Sequence, residues 1–163
     1  MYPTDLTVAA IVRHKDKYLM VEERVSGRDV FTQPGGHIES AESPEQAVVR
    51  EVLEETGCTV SCGELVGVYL WIHPQTRQQF LRIVFEAHLQ STNPDATLDD
   101  GILRALWMSR HDIESRGDRL RTPVALRCVH DYEQGKRPTD GVFTGMLPLQ
   151  HNVDAVLARA DLV

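Results

Sequence analysis

The sequence predicts an α/β protein in which helices cover both sides of a mixed β-sheet, an α/β/α sandwich. Short apolar segments rich in β-branched residues alternate along the chain with longer helical patterns. The longest helical pattern has a capping signal at each end and carries clustered glutamates. With 163 residues and no internal repeat or low-complexity segment, the chain is expected to form one domain over residues 1–163.

Six segments have the length and composition of β-strands. Residues 6–12 and 18–22 lie on either side of a polar turn and are expected to pair as a hairpin. The other segments, in chain order, are residues 30–33, 65–72, 80–89 and 103–108. Together with the helices between and after them, they give the alternating pattern of a layered α/β fold.

The main helix is expected to span about residues 43–56. Ser43 is a suitable N-cap, Pro44 suits the first helical position, and Gln46 would complete a capping box. Gly57 can adopt the left-handed conformation that commonly ends a helix. Both boundaries are therefore marked by local signals.

Two further helices are expected after the last strand. The first is short, at residues 110–115, and the second spans about residues 123–134. Residues 135–150 are expected to be irregular, and residues 151–160 form either a last short helix or part of a tail. We therefore treat residues from about 140 to 163 as a peripheral C-terminal tail.

Composition and charge exclude several function classes. The net charge is -7 and no basic run is present, which argues against a nonspecific nucleic-acid binder. No segment approaches the roughly 18 apolar residues of a membrane span, and the N-terminus lacks the pattern of a signal peptide. The three cysteines (Cys58, Cys62 and Cys128) form no CxxC motif, so reduced thiols in a cytoplasmic protein are expected.

One face of the main helix carries three glutamates. Glu51, Glu54 and Glu55 fall within an arc of roughly 100° at helical spacing. Like charges three and four residues apart destabilise a helix, and a divalent cation removes that penalty because carboxylate oxygens are ligands that Mg²⁺ prefers. The opposite arc is expected to face the core and contains Val48, Val49, Val52, Leu53 and Thr56.

A glycine pair precedes this helix. Gly35 and Gly36 lie in the loop of residues 33–37, where they would let backbone amides and carbonyls approach a ligand closely. A diphosphate ester is a ligand that such a loop and an acidic helix face could bind together, the acidic face through bound cations. Its hydrolysis requires cations on the phosphoryl oxygens and a base for the attacking water, and clustered glutamates supply both.

These residues also follow the pattern of a known family. Five residues separate Gly36 from Glu42, and seven more precede an arginine–glutamate pair, which is followed by two further glutamates and a glycine. This spacing resembles a complete Nudix box, whose residues here are Gly36, Glu42, Arg50, Glu51, Glu54, Glu55 and Gly57. The resemblance implies an α/β/α sandwich and Mg²⁺-dependent hydrolysis of substituted diphosphates, with Mn²⁺ as a possible substitute.

The resemblance also implies roles for the helix residues. The position of Glu55 is a principal metal ligand in Nudix enzymes, and that of Glu51 assists it. The position of Glu54 is tied to the metal or to the arginine, and that of Arg50 orients a catalytic glutamate. Glu51 is also the leading candidate for the general base, although family members differ in where that base lies.

Other ligands are implied in the loop before the helix. A carbonyl oxygen of Gly35 or Gly36 is expected to join the metal shell. Glu42 is a candidate ligand for a second metal ion. A glycine pair by itself is equally consistent with an ordinary turn, so the prediction depends on the spacing of the whole box.

Arg50 and Glu54 also have a simpler interpretation. At i, i+4 on a helix they could form a surface ion pair worth a few tenths of a kcal/mol. For an isolated segment of this sequence that interpretation would be preferred. The glycine pair and Glu42 at family spacing favour the functional one.

A further acidic residue is expected between the last two strands. Some family members use one there as an extra ligand or base, a few residues before a tryptophan that corresponds to Trp107. The equivalent position is Gly101, so Asp100 is the candidate. An aspartate in an ordinary turn is the alternative.

Substrate-binding residues are expected on the central strands. Arg82 could point toward a phosphate or lie on an exposed sheet face, and His73 lies near the end of its strand. Aromatic side chains could stack on a heterocyclic ring or belong to the core. These are Tyr69, Trp71, Phe31 and Phe80.

Segments outside the box resemble one branch of bacterial Nudix phosphatases. They include LTVAAIV, YLMVEE, TQPGGHIE, FLRIVFEA and the stretch at residues 120–124. That branch implies release of phosphate from nucleoside tri- and diphosphates and from thiamine-pathway pyrophosphates. The partner would be a small phosphorylated molecule, with no nucleic acid or membrane, and the protein a monomer or small homo-oligomer.

Two other functions stay open at this point. One is a different Nudix substrate, such as oxidised nucleotides, ADP-ribose, dinucleoside polyphosphates or RNA 5′ ends. The other is a non-catalytic diphosphate-binding regulator. A regulator would be expected to lose residues of the box, and none is missing.

Overall fold

Six strands and three α-helices make up residues 3–138, the part of the chain that this computed structural model describes. The strands are β1 (Thr4–His14), β2 (Lys17–Val25), β3 (Arg28–Thr32), β4 (Cys58–Ile72), β5 (Gln79–Thr92) and β6 (Ile102–Ser109). The helices are α1 (Pro44–Thr56), α2 (Arg110–Ser115) and α3 (Val124–Glu133), with a 3₁₀ turn at Gly117–Arg119. All of the predicted strands and these three helices are present, whereas the predicted tail and last helix lie outside the described residues.

The sheet consists of two three-stranded halves joined by a hairpin. One half has the order β1-β5-β4 and the other has β2 between β3 and β6. Strands β1 and β5 are parallel and the other pairs are antiparallel, so the sheet is mixed. Strands β1 and β2 pair only beside their turn, as the predicted hairpin. The α/β fold with a mixed sheet is thus confirmed.

The glycine loop lies along an edge of β1 that β2 leaves free. The N–H of Val8 donates to the carbonyl of Gly36 at 2.8 Å, and the N–H of Ala10 donates to that of Pro34 at 3.0 Å. Because the two strands separate after their turn, the backbone groups of β1 bond this loop instead. The loop is therefore fixed across the middle of the fold.

Strand β1 contributes to two hydrophobic cores. Val8 and Ala10 pack on the α1 side, whereas Ala9 and Ile11 pack on the side of α2 and α3. Both faces of this strand are covered, which explains why it reads as a continuous apolar run. No helix within residues 3–138 is long and apolar enough to cross a membrane.

Helix α1 begins and ends where the local signals predicted. Ser43 and Gln46 form both hydrogen bonds of a capping box, and Gly57 closes the helix with φ 68°. The orientation of the helix differs from the prediction at one residue. Leu53 is 48% exposed, while Glu51 is only 8% exposed, so the buried face is rotated toward the glutamates.

Candidate active site

The guanidinium group of Arg50 joins three glutamates. It donates to Glu42 at 2.6 and 3.0 Å, to Glu51 at 2.8 Å and to Glu54 at 3.0 Å. A fourth acceptor is the carbonyl oxygen of His37, at 3.0 Å. These bonds, that to Glu42 first, raise the pKa of Arg50 above its ordinary value. The pair with Glu54 is therefore one contact of a network rather than an isolated helix ion pair.

Glu42 is positioned to hold Arg50. Besides its two bonds to the guanidinium, it accepts the backbone N–H of Glu39 at 2.8 Å. The bonds from Arg50 lower the pKa of Glu42 despite its partial burial. Its carboxylate is committed to the arginine, and a role as ligand of a second metal ion remains a prediction.

Glu51 lies directly against the glycine loop. A Cβ atom added to Gly36 would be 2.6 Å from Glu51 Oε1, so only glycine leaves room for this carboxylate. Burial raises the pKa of Glu51, although the bond from Arg50 opposes that effect. Position 36 thus controls where the carboxylate of Glu51 lies.

Glu55 contacts the loop from the last turn of α1. Its Oε2 accepts the backbone N–H of Gly35 at 2.8 Å. Burial raises its pKa to about 8, while Glu51 and Glu23 add negative charge and Gly35 and Arg82 oppose the shift. For Glu55, loss of solvent thus outweighs the hydrogen bond from Gly35 and the charge of Arg82.

The oxygen atoms of this site fit a divalent cation. Burial raises the pKa values of both Glu51 and Glu55, and a bound cation would stabilise their ionised forms. The carbonyl of Gly36 already accepts a hydrogen bond from Val8. Among residues 3–138 the carbonyl of Gly35 accepts no backbone hydrogen bond. Of the two glycine carbonyls, that of Gly35 is therefore the better candidate for a metal ligand.

The carboxylates of this site are held by hydrogen bonds and do not form a complete set of metal ligands. Within residues 3–138, no group of three His, Cys, Asp or Glu side chains is arranged to hold a metal. Arg50 holds Glu51 and Glu54, while Gly35 holds Glu55. Cation binding would therefore replace these hydrogen bonds with coordination.

In the loop before β6, Asp99 contacts the end of α1, and the role of the adjacent Asp100 remains a prediction. The N–H of Asp99 donates to the carbonyl of Glu54 at 3.1 Å, and the charge of Asp99 contributes to the raised pKa of Glu51. Asp100 is exposed in the adjoining turn. Spacing does not distinguish these two neighbours, because a register difference of one residue in an irregular loop cannot be read from the sequence.

Arg82 faces the glycine loop and is partly buried. Its Nη2 lies 3.3 Å from the carbonyl oxygen of Gln33 and 3.5 Å from Thr32 Oγ1. Burial lowers its pKa, and the nearby charge of Glu55 opposes that effect. Of the two predicted alternatives, the structure excludes an exposed position and places Arg82 beside the site.

The aromatic candidates share a sheet face with Arg82. Tyr69 is directly opposite Arg82 in the β4–β5 register, and Trp71 is opposite Phe80. Paired and alternate residues point to the same side of a sheet, so these side chains form one surface. The ring of Trp71 lies 5.7 Å from that of Phe80 and 5.3 Å from that of His73.

Two aromatic or histidine candidates have structural contacts of their own. Phe31 is 1% exposed and the guanidinium of Arg119 covers its ring at 4.7 Å, so it belongs to the core. His73 Nδ1 accepts backbone N–H groups of Gln75 and Thr76 at 3.2 Å in the β4–β5 turn. The ring of His73 thus organises that turn at the end of the surface.

A groove borders this surface between β4 and α3. Its volume is about 690 Å³, within the range of small-molecule sites, and its lining includes Tyr69, Arg127 and Asp131. The hydroxyl of Tyr69 donates to Asp131 Oδ2 at 3.1 Å. The groove is large enough for the organic part of a nucleotide-sized substrate.

An ion pair near the site was not predicted. Arg121 Nη1 donates to both carboxylate oxygens of Glu23, at 2.8 and 2.9 Å. The charge of Glu23 acts on Glu55 and on Arg82. The sequence gives little indication of this pair, because a glutamate that follows an apolar strand is often only a solvent-exposed residue at the end of the strand.

Comparisons with known proteins agree with the geometry. The family model of the NUDIX domain matches residues 3–127. Phosphatase NudJ of Escherichia coli (strain K12) is 32% identical over 137 residues, which are 84% of this chain and 88% of that protein.

Solved structures show the same similarity. A NUDIX hydrolase from Nitrosomonas europaea has a TM-score of 0.83 and 39% identity, covering 88% of this chain and 98% of that one. A bifunctional NMN adenylyltransferase/ADP ribose pyrophosphatase from Francisella tularensis, complexed with AMP and a Mn ion, shares the fold. It has a TM-score of 0.63 and 22% identity, covering 83% of this chain and 42% of that one. The chain therefore belongs to the Nudix family of hydrolases and is an enzyme of its phosphatase/pyrophosphatase class.

Proposed function

We propose that the protein catalyses Mg²⁺-dependent hydrolysis of phosphoanhydride bonds in nucleoside tri- and diphosphates and in thiamine-pathway pyrophosphates, by attack of water on phosphorus. The observation that carries the proposal is the pair of carboxylates of Glu51 and Glu55, which pack against Gly36 and Gly35 respectively. The similarity to phosphatase NudJ supports a substrate of the branch that the sequence segments resemble.

Glu51, Glu55 and the carbonyl oxygen of Gly35 would hold the metal, with Glu54 assisting. Nudix hydrolases generally use divalent metals, and these hard oxygen donors suit Mg²⁺, with Mn²⁺ as a substitute. When bound, the cation supplies positive charge to the phosphoryl oxygens.

The chain's own residues supply position and proton transfer. Arg50, itself fixed by Glu42, holds Glu51 and Glu54 in place. Glu51 is the leading candidate to accept a proton from the attacking water, and Asp99 is the alternative that the structure adds. Burial raises the pKa of Glu51, which makes its ionised carboxylate a stronger base.

Substrate binding is assigned to the face of β4 and β5. Arg82 would contact a phosphate, because its guanidinium faces the glycine loop near Glu55. Trp71 and Phe80 present neighbouring rings on the same face, on which a heterocyclic ring could stack. Tyr69 continues that face into the groove beside α3.

The test measures orthophosphate release, and for substrates whose cleavage yields none it measures the mononucleotide or pyrophosphate formed, over a panel of substrates, each with and without Mg²⁺. The panel contains nucleoside di- and triphosphates, thiamine diphosphate, an oxidised nucleotide, ADP-ribose, a dinucleoside tetraphosphate and a capped RNA. We expect metal-dependent release from thiamine diphosphate and from nucleoside diphosphates. Cleavage restricted to ADP-ribose would reject the proposed substrate class.

Variants on the same helix control for loss of folding. Glu55→Gln should remove activity on every substrate. Glu45→Gln, at an exposed glutamate in the first turn of α1, should leave it unchanged. Diphosphate binding without turnover in the wild-type protein would indicate a regulator instead.

A further inference from the structure

Three groups meet a single short segment, residues 31–35. The backbone N–H of Arg121 donates to the carbonyl of Phe31 at 2.9 Å. Arg82 Nη2 contacts the carbonyl of Gln33, and Gly35 donates to Glu55. Five residues of extended chain span at most about 14 Å between their first and last Cα atoms. Arg121, Arg82 and Glu55 therefore all contact the chain within this one short segment.

Arg121 has donors to spare. Both of its hydrogen bonds to Glu23 come from one nitrogen, Nη1. Among residues 3–138, its Nε and Nη2 have no side-chain or backbone acceptor. The side chain is 41% exposed, whereas that of Glu23 is 11% exposed, so the glutamate anchors an arginine that still reaches solvent.

Arg82 is a partly buried cation whose contacts are weak. Its two hydrogen bonds, at 3.3 and 3.5 Å, go to neutral oxygens, and within residues 3–138 no carboxylate is in ion-pair distance. Its other two guanidinium nitrogens, Nε and Nη1, have no hydrogen-bond acceptor within residues 3–138. Neither is fully buried, so both reach solvent. Burying a cation without an anionic partner costs free energy, so the position favours an anionic ligand.

Arg82 and Arg121 are neighbouring cations, and only Arg121 bonds a carboxylate, that of Glu23. Positive charge is therefore in excess around the two guanidinium groups. Guanidinium groups bind phosphate oxygens bidentately, and a phosphate between the two would relieve their mutual repulsion. We propose that Arg82 and Arg121 together bind the phosphate group that is not attacked, and that Glu23 is the positioning residue that holds Arg121 toward it. This assignment rests on the proposed function, since it names the second phosphate of the same substrates.

The same segment of chain supplies a matched control. Arg119, two residues before Arg121, donates to Glu22 at 2.7 Å. Glu22 and Glu23 are neighbours on β2 and point to opposite faces, and Glu22 also bonds Arg104. The pair of Arg119 and Glu22 thus resembles the pair of Arg121 and Glu23 in its bond length and its strand, but it is the charges of Arg121 and Glu23 that act on Arg82.

The experiment measures Mg²⁺-dependent binding of methylenediphosphonate, a non-hydrolysable diphosphate, by calorimetry. Arg121→Gln should weaken binding about tenfold or more, the scale of a lost charged hydrogen bond, and Arg121→Lys should restore part of it. Arg119→Gln should stay within about twofold of wild type. Equal binding by Arg121→Gln and wild type, or an equal loss in Arg119→Gln, would overturn the subsite.

Steady-state kinetics test the positioning role of Glu23. Glu23→Gln should raise KM for a nucleoside diphosphate more than it lowers kcat, because the ligand arginine is loosened rather than removed. The double variant Glu23→Gln/Arg121→Gln should be no worse than Arg121→Gln alone. Additive losses, or a fall in kcat with KM unchanged, would show that Glu23 does not act through Arg121.

The two proposals fail in different ways. If wild type releases no phosphate from any diphosphate with Mg²⁺, the proposed function is wrong whatever the variants do. If wild type is active and Arg121→Gln has an unchanged KM and diphosphonate affinity, only the two-arginine subsite is wrong. Thermal unfolding of each variant confirms that the compared proteins are folded.

Discussion

Glu55 Oε2 accepts the backbone N–H of Gly35 at 2.8 Å, which joins the end of α1 to the glycine loop. One backbone donor replaces only part of the water that a carboxylate loses on burial, and the pKa of Glu55 rises to about 8. At neutral pH without metal, this carboxyl group is therefore mostly protonated. Binding of a cation would displace that proton.

The first prediction concerns stability without metal. The pKa of Glu55 rises from an ordinary value of 4.5 to about 8 on folding, so folding stability falls as pH rises between these values. Glutamine has no charge to bury. In EDTA at pH 8, Glu55→Gln should melt a few degrees Celsius above wild type, and at pH 4 the two should coincide. A variant less stable than wild type at pH 8 would contradict this.

The second prediction concerns catalysis by the same residue. Glu55 bonds the glycine loop directly, through the backbone N–H of Gly35, so Glu55→Gln should lower turnover by at least ~100-fold at saturating Mg²⁺. The measurement is phosphate release from a nucleoside diphosphate, with Glu45→Gln as the control. Near-normal turnover would remove Glu55 from the mechanism.

The third prediction concerns the metal. Because burial raises the pKa values of both Glu51 and Glu55, a cation that stabilises their ionised forms binds the folded state, and Mg²⁺ should raise the melting temperature of the wild-type protein in a saturable manner. The shift should be much smaller in Glu55→Gln. A flat thermal-shift titration of the wild-type protein up to saturating metal would count against a shared site.

Features set by local chemistry were predictable from the sequence. The capping box of Ser43 and Gln46 and the left-handed Gly57 depend on residues within a few positions, so their signals are intact in the sequence. The spacing of the box likewise fixes which glutamates share a helix face. Local signals do not specify how far a helix rotates on a sheet, which is why Leu53 was assigned to the core and is exposed.

Features set by long-range pairing were not predictable. Strand β4 begins at Cys58 rather than near residue 65, because its small and polar first residues are extended only by pairing with β5, across several register shifts. Arg121 and Glu23 meet across 98 positions of sequence. No spacing rule connects them, and only the fold shows that both lie beside Arg82.

The fourth prediction concerns Gly36. A Cβ atom there would lie 2.6 Å from Glu51 Oε1, so Gly36→Ala should displace that carboxylate. Turnover should fall about tenfold or more, since misplacing a catalytic group is costly, while the melting temperature changes little. Gly117→Ala is the control, because nothing lies within 4 Å of a Cβ added there. Full activity in Gly36→Ala would show that Glu51 tolerates displacement.

The fifth prediction concerns the general base. A carboxylate accepts a proton only when ionised, so activity should be low below its pKa and rise with pH through one ionisation. Glu51 is packed against the glycine loop; Asp99 and Asp100 are both exposed, but the backbone N–H of Asp99 bonds α1 and its charge acts on Glu51. We therefore expect Glu51→Gln to abolish the rising limb of the pH–rate profile, Asp99→Asn to shift it, and Asp100→Asn to leave it unchanged.

The profiles of the three variants decide between the candidates, and each is measured as kcat/KM for one nucleoside diphosphate at saturating Mg²⁺. Loss of the limb in Asp99→Asn, with the limb retained in Glu51→Gln, would move the role of base to Asp99. A change in Asp100→Asn alone would restore the residue that the spacing suggested. An unchanged limb in all three variants would exclude every carboxylate of this set, because a base that has been replaced by an amide cannot titrate.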